Sequence, residues 1–390
     1  MSRKALTILF LITLTLSLKC QLPDSSAQKI SLLFIGDIMG HDSQILAAKN
    51  EETGTYDYND VFTYLRSEIG EADFAIANLE VTLAGPPYKG YPQFSSPAAL
   101  ASACRDAGID CLVTANNHSV DRGLEGIEGT IKRLDSIGIS HTGIFADNSS
   151  RDTLFPLLIK RNGISLAILN YTYGTNGLRV PHPAVVNMLD KTLITNDIKK
   201  ARELSPDVLV LFLHWGTEYD TIPSKEQSDL VEYCFSLGVD LVIGSHPHVL
   251  QKMVWYKDDT VNNGKAVIYS LGNFISNQRK PKTDGGSMVR IILTRERDSV
   301  KISEAGYYLT WVYTPVVNEK KKFFILPCSK FENEPAFFTD EKDFIQMKKF
   351  ISDSRRMLYK DNLNVCEYLF KENKWVLYSP EKGEEISLLN

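Results

Sequence analysis

Apolar residues in this chain gather into short unbroken runs, and several of these runs are introduced by a helix-like stretch and a glycine. Residues 65–70 lead into 73–77, residues 107–108 into 110–113, and residues 237–238 into 240–243. Glycine ends a helix because it tolerates the left-handed conformation, and a continuous apolar run bounded by turn residues reads as a strand covered on both faces. Runs at 30–35 and 208–213 have the same character, and Asn162-Gly163 marks a hairpin turn between 157–160 and 164–169. Helices are expected at 58–69, 97–107, 123–137, 194–204 and 225–237. Helices alternating with buried strands predict an α/β fold.

Composition narrows the function classes. The 390 residues are 43% hydrophobic and 23% charged, enough to bury a full core. A net charge of -5 gives no basic footprint for nucleic acid, and the aromatic residues are scattered, so nucleic acid is not expected as a partner. The first residues carry a different message. Arg3 and Lys4 precede an apolar and hydroxyl-rich stretch at 5–18, long enough for an export signal and short for a transmembrane helix. Residues 1–19 resemble a bacterial lipoprotein signal, with Cys20 as the acylated residue and 20–29 as a polar tether, although Lys19 stands where such cleavage sites usually carry a small residue. An exported, membrane-anchored protein of the cell envelope is the expectation. Cys104, Cys111, Cys234, Cys328 and Cys366 lack paired spacing, so no disulfide framework is implied.

Polar residues then fall in one kind of place. Asp37 and His41 follow the run 30–35; Asn78 and Glu80 follow 74–77; Asn116, Asn117 and His118 follow 112–114; His214 and Trp215 follow 208–213; His246 and His248 follow 241–243. In open α/β sheets the carboxyl ends of strands converge on one crevice where ligands bind. Carboxylates, imidazoles and a side-chain amide together offer ligands for a pair of ions such as Mn, Fe or Zn, with Asp37 and Glu80 the carboxylates to hold or bridge them. The His-x-His pair at 246 and 248 presents both rings to one side of an extended turn. The chemistry such a set suits is metal-assisted hydrolysis.

The ordered set Gly36-Asp37-Ile38-Met39, Asn78-Leu79-Glu80, Asn116-Asn117-His118, His214-Trp215-Gly216 and Gly244-Ser245-His246-Pro247-His248 resembles the CapA poly-γ-glutamate capsule biosynthesis family, which belongs with the calcineurin-like metallophosphoesterases. The resemblance covers roughly residues 30–276. It implies a layered sandwich of β-sheets flanked by α-helices, holding one or two divalent ions. It also implies Asp37, Glu80, Asn117, His214, His246 and His248 as metal ligands and His118 as the group that protonates a leaving group. Two positions depart from the family pattern. Met39 stands where a histidine ligand is usual, with His41 a candidate substitute, and Asn78-Leu79-Glu80 replaces a Gly-Asp pair.

His41, Asn78, Asn116, Glu218 and Tyr219 are expected to line the substrate, Trp215 to be a packing residue or a sugar-stacking wall of the substrate site, and Asp121 to cap the helix at 123–137. His141 and His182 have no cluster around them, and Lys320-Lys321-Lys322 reads as a solvated turn. Residues 30–282 are read as the main domain and 283–390 as an extension packed on it. Two functions fit. One is an exported metal-dependent hydrolase acting on a phosphoester, or on an amide or ester bond of an envelope polymer such as poly-γ-glutamate. The other is a non-catalytic metal-site scaffold that binds the polymer during assembly or export, working alongside other capsule-synthesis proteins.

Overall fold

The computed structural model describes residues 28–257 and 264–379, and the backbone of 384–386. The signal segment and Cys20 lie outside the described residues. Nine strands position the strand-end clusters: β1 (Lys29–Ile38), β2 (Phe74–Leu79), β3 (Cys111–Val113), β4 (Ile164–Thr172), β5 (Val208–His214), β6 (Leu241–Ser245), β7 (Asn273–Ile275), β8 (Gly285–Glu296) and β9 (Ser299–Tyr313). The principal helices are α1 (Ala99–Asp106), α2 (Gly123–Ile137), α3 (Lys191–Glu203), α4 (Lys225–Ser236) and α5 (Glu341–Asp361).

Two sheets face each other. An eleven-stranded sheet contains the order β9-β8-β1-β2-β3, and β1, β2 and β3 run parallel. A six-stranded sheet contains β4, β5 and β6 in parallel, with antiparallel strands at both edges. Side chains alternate across a strand, and each of these strands is apolar in both phases. Ile30, Leu32 and Phe34 of β1 meet Ile164, Leu166, Val210, Phe212 and Ile243 in the core between the sheets. Leu33 and Ile35 turn outward and pack with Leu100, Cys104 and Leu134 of α1 and α2. On the far side, Leu209, Leu211 and Leu213 of β5 pack against Ile194, Ile198, Leu230 and Phe235 of α3 and α4. The result is a four-layer α/β/β/α sandwich, and each fully buried Leu or Phe contributes roughly 1.5–3 kcal/mol. The continuous runs therefore have a direct cause.

Local signals account for most of the boundaries. Ser224 and Gln227 form a capping box at the start of α4, and the Asp190 carboxylate accepts from Leu193 N–H at the start of α3. Asn162 and Gly163 adopt φ of 49° and 78° at the expected hairpin turn. The expected helix at 58–69 is instead a 3-10 turn, Asn59–Phe62, followed by a short α-helix, Arg66–Gly70. Asn59, Asp60, Thr63 and Tyr64 are weak helix formers, and Arg66 reaches back to Asn59 O at 3.2 Å.

Residues beyond Lys282, expected as an extension, enter the large sheet itself. β8 pairs antiparallel with β1 from Lys29↔Thr294 to Ile35↔Met288, and β9 pairs with β8. From α5, Met347, Phe350, Ile351 and Leu358 join the core between the sheets. Among the described residues, no helix is long and apolar enough to cross a membrane.

Candidate metal centre

The parallel strands β1, β2, β5 and β6 end at the same side of the sandwich, and their ends carry the polar clusters. β1 is paired on both sides near Asp37, with Asn78 of β2 and Asn273 of β7, and the register slips between Ile35 and Asp37. Asp37 N–H donates to Gly272 O at 3.1 Å. A Cβ on Gly36 would stand 2.1 Å from Gly272 O, so only glycine permits this approach. The bulge re-aims Asp37 away from the strand's regular alternation.

Asp37, Glu80, Asn117, His118, His214, His246 and His248 are all buried. Six of them form a connected cluster. His248 Nδ1 lies 3.1 Å from Asp37 Oδ2, and His214 Nε2 lies 2.9 Å from Asn117 Oδ1. Glu80 Oε1 sits between the histidines, 3.6 Å from His214 Nε2 and 3.7 Å from His248 Nε2. The His246 ring centre is 4.7 Å from that of His214. Two groups of candidate ligand atoms result, Glu80-His214-His246 and Asp37-Glu80-His248, each with its atoms within 4.8 Å of one another. Glu80 belongs to both.

The donor set fits a divalent cation. Glu80 Oε1 and His246 Nδ1 are buried and have no hydrogen-bond partner, which costs free energy in a protein interior unless something compensates. The Glu80-to-histidine separations are too long for hydrogen bonds. They lie close to the spacing of roughly 3.4 Å that follows from two ligands about 2.1 Å from one tetrahedral ion. Electrostatics agree. Burial pushes Glu80 well above the usual carboxylate range, and the nearby Asp37 charge adds to the rise. Burial pushes His214 well below the ordinary imidazole value and His246 down to about 3, with neighbouring histidines adding to both shifts. Neutral imidazoles are the form that binds metal.

Supporting contacts fix the rings. His214 Nδ1 is held by Ser245 Oγ at 3.0 Å, which leaves Nε2 on the Asn117 and Glu80 side. Asn78 Nδ2 donates to Asp37 Oδ1 at 2.8 Å and lies 3.3 Å from His214 Nδ1. His246 and His248 adopt φ of 100° and 58°, unusual for residues with a side chain and a form of strain found at functional sites.

His118 stands beside this cluster. Its Nδ1 is 2.7 Å from Asp121 Oδ2, its ring meets Phe94 edge-on at 4.6 Å, and Asp121 Oδ2 also accepts from Phe94 N–H at 2.6 Å. Asp121 therefore orients His118, and α2 has no side-chain cap hydrogen bond at its start. In place of a helix cap, the carboxylate pairs with His118 three residues back and with Phe94 N–H from a distant segment.

Other expected residues separate by role. Trp215 does not line the crevice: it is 2% exposed, stacks on Tyr269 and donates Nε1–H to Tyr269 O at 3.0 Å. Asn116 is a loop clip, with Nδ2 donating to Leu79 O at 2.7 Å and Oδ1 accepting from His118 N–H at 3.1 Å. Asn78 is a positioning residue between the carboxylates. Glu218 and Tyr219 are exposed, and the Tyr219 ring lies 6.4 Å from that of His248. His41 begins a short helix, is half-buried, and stands 5.3 Å from the Phe94 ring. Met39 is buried in the apolar cluster behind β1.

Two contributors had no local signal in the sequence. Tyr173 lies exposed beside the site with its ring 4.5 Å from His246. Asn170 of β4 ties the segment after β3 to β5, its Oδ1 accepting from Ala115 N–H at 2.7 Å and its Nδ2 donating to Phe212 O at 3.1 Å.

Residues 31–278 match the profile of the bacterial capsule synthesis protein PGA_cap. The chain is 27% identical over 276 residues to the capsule biosynthesis protein CapA of Bacillus anthracis, covering 67% of this chain and 64% of that protein. It is 26% identical over 279 residues to the PGA biosynthesis protein CapA of Bacillus subtilis (strain 168), covering 68% of each. The chain thus spans less than two thirds of the length of the first of these relatives. Among solved structures, the calcineurin-like phosphoesterase YfkN from Bacillus subtilis overlays with a TM-score of 0.45 at 13% identity, over 85% of this chain and 98% of that one. The NAD nucleotidase of Haemophilus influenzae overlays with 0.42 at 14% identity, over 85% and 61%.

Proposed function

Because the chain belongs to the bacterial capsule synthesis family PGA_cap, we propose that it is an exported, lipid-anchored envelope protein of capsule or poly-γ-glutamate synthesis or export, with a metal-dependent hydrolytic site. The observation that carries this reading is the sharing of Glu80 between two buried groups of candidate ligands. Asp37, Glu80 and His248 would hold one divalent ion, and Glu80, Asn117, His214 and His246 the other. Such ions, when bound, supply Lewis-acid charge that neutralises an anion developing on a phosphoryl or acyl oxygen.

The chain's own residues complete the arrangement. The Asp121 carboxylate accepts from His118 Nδ1 and steadies the doubly protonated ring, and in that form the Nε2–H would give its proton to a leaving group, which leaves the neutral imidazole still bonded to Asp121. Asn78 and Ser245 fix Asp37 and His214 in place, which limits the reorganisation the site undergoes during reaction. The bond attacked is a phosphoester, or an amide or ester of an envelope polymer. The curated relatives carry capsule and PGA biosynthesis names, which favours the polymer.

The scaffold reading has one observation behind it. Met39 is packed in an apolar cluster, so the Asp37 side of the site has one ligand fewer than the family pattern. Purified protein assayed for bound metal and for Mn-dependent hydrolysis of a generic phosphodiester and of γ-glutamyl oligomers separates the two. Turnover abolished by His118→Ala supports the hydrolase. Turnover retained in His118→Ala, with no bound metal, rules it out, and bound metal without turnover on any polymer favours the scaffold.

A further inference from the structure

A second cleft, of about 580 Å³, opens on the outer face of the large sheet, between the Arg66–Gly70 helix, β8, β9 and the hairpin Cys366–Lys371/Lys374–Ser379. Its volume is in the range of small-molecule sites, roughly 300–1,000 Å³. Arg290 in its lining pairs with Leu33 of β1, four residues and roughly 13 Å of strand before Asp37. None of the candidate metal ligands lines it.

The lining combines aromatic rings with balanced charge. Tyr308 stacks on Tyr368 at 4.5 Å, Trp375 meets Tyr308 edge-on at 4.9 Å, and Phe370 lies 5.1 Å from Trp375. Phe370 and Trp375 are half-buried, whereas Trp215, Trp255 and Trp311 are buried. Glu68, Glu71 and Glu304 face Arg290, Lys330 and Lys374, three charges of each sign. Several of these groups are held in place. Glu68, 2% exposed, pairs with Lys330 and accepts from Trp375 Nε1–H at 3.1 Å. Arg290 donates to the Tyr308 hydroxyl at 3.2 Å, and the Tyr368 hydroxyl donates to Glu304.

That combination selects among ligand classes. An apolar ligand would desolvate charges without replacing their water. A polyanion would meet three carboxylates, and two of the three cations that could receive it, Lys330 and Arg290, are already paired with Glu68 and Glu71. A sugar ring has one face of C–H groups that packs on an aromatic ring and a rim of hydroxyls that both donate and accept, which suits interspersed carboxylates and cations. We infer that this cleft binds a neutral saccharide unit of a glycan, independently of the metal centre, with Trp375 as the stacking surface, Phe370 beside it at 62° and Lys330 Nζ 5.5 Å from the Trp375 ring centre, and with Glu304 and Arg290 as hydroxyl partners. The site would let one chain grip an envelope glycan while the strand-end crevice works elsewhere on the molecule.

Trp375 is a built-in reporter, since the other three tryptophans are buried. The test is to titrate the full chain with chitotriose, maltotriose and xylotriose while following tryptophan emission, and to measure retention of the same sugars by equilibrium dialysis. The expected result is a saturable blue shift with at least one trisaccharide, unchanged after chelator treatment, absent in Trp375→Ala and at least tenfold weaker in Glu304→Gln. If Trp375→Ala fails to fold, dialysis of Glu304→Gln and Phe370→Leu carries the test. No saturable binding of any of the three sugars overturns the inference. So does wild-type affinity in both of those variants, or saturation by oligo-glutamate with none by sugar.

Discussion

His118 Nδ1 and Asp121 Oδ2 lie 2.7 Å apart in the interior, three residues from one another in sequence. The pairing fixes the imidazole's tautomer and orientation. Asp121→Asn is expected to lower turnover by roughly 10²–10⁴-fold while leaving metal content unchanged, because Asp121 is in neither group of candidate ligands. Parallel measurements of kcat and bound metal check this. Loss of metal together with activity would assign Asp121 a structural task instead.

His41 gives a pH prediction. Burial lowers it from 6.5 to about 4, against a partial rise from its hydrogen bond to Gln44, with the charges of His248 and His118 lowering it further and that of Asp42 raising it. The folded ring is therefore neutral at pH values where the unfolded chain's imidazole is protonated, and the unfolded state binds more protons. Stability attributable to this group is full above about 6.5 and falls as pH drops from there toward about 4. The melting temperature of chelator-treated protein should fall less steeply between pH 7 and 5 in His41→Asn than in wild type. Equal slopes would contradict the burial argument.

Trp215 separates packing from binding. It is buried against Tyr269 with its N–H satisfied, so Trp215→Ala is expected to cost about 3–5 kcal/mol in urea unfolding. Trp215→Phe should cost less and leave KM unchanged. A raised KM in a stable Trp215→Phe protein would return this residue to the substrate wall.

Gly244 tests the backbone around the histidine pair. A Cβ there would lie 2.0 Å from Tyr269 O and 2.5 Å from Trp215 Nε1. Gly244→Ala should destabilise by at least about 1–3 kcal/mol, measured by denaturant unfolding. A neutral effect would show that the β6 end has room to shift.

Much of this was legible from the chain alone, for identifiable reasons. His246 and His248 stand out because a buried run ends just before them, and the ends of β1, β2, β5 and β6 converge because parallel strands share a direction. The contact of Asp121 with Phe94 N–H and that of Trp215 with Tyr269 O were not legible, since both join segments distant in sequence. The place of β8 was hidden for the same reason: Lys29 pairs with Thr294, and nothing local in either strand encodes that separation. Met39 was readable as a departure, but its burial behind β1 required the fold.

Glu80 belongs to both groups of candidate ligands, so its removal should empty both. The most direct measurement is metal content by elemental analysis of purified wild type, Glu80→Ala and His246→Ala after loading with Mn and removal of excess, each confirmed folded by circular dichroism. Glu80→Ala is expected to lose essentially all bound metal, whereas His246→Ala loses only the share held at its own group. Wild-type metal content in a folded Glu80→Ala protein would contradict this expectation.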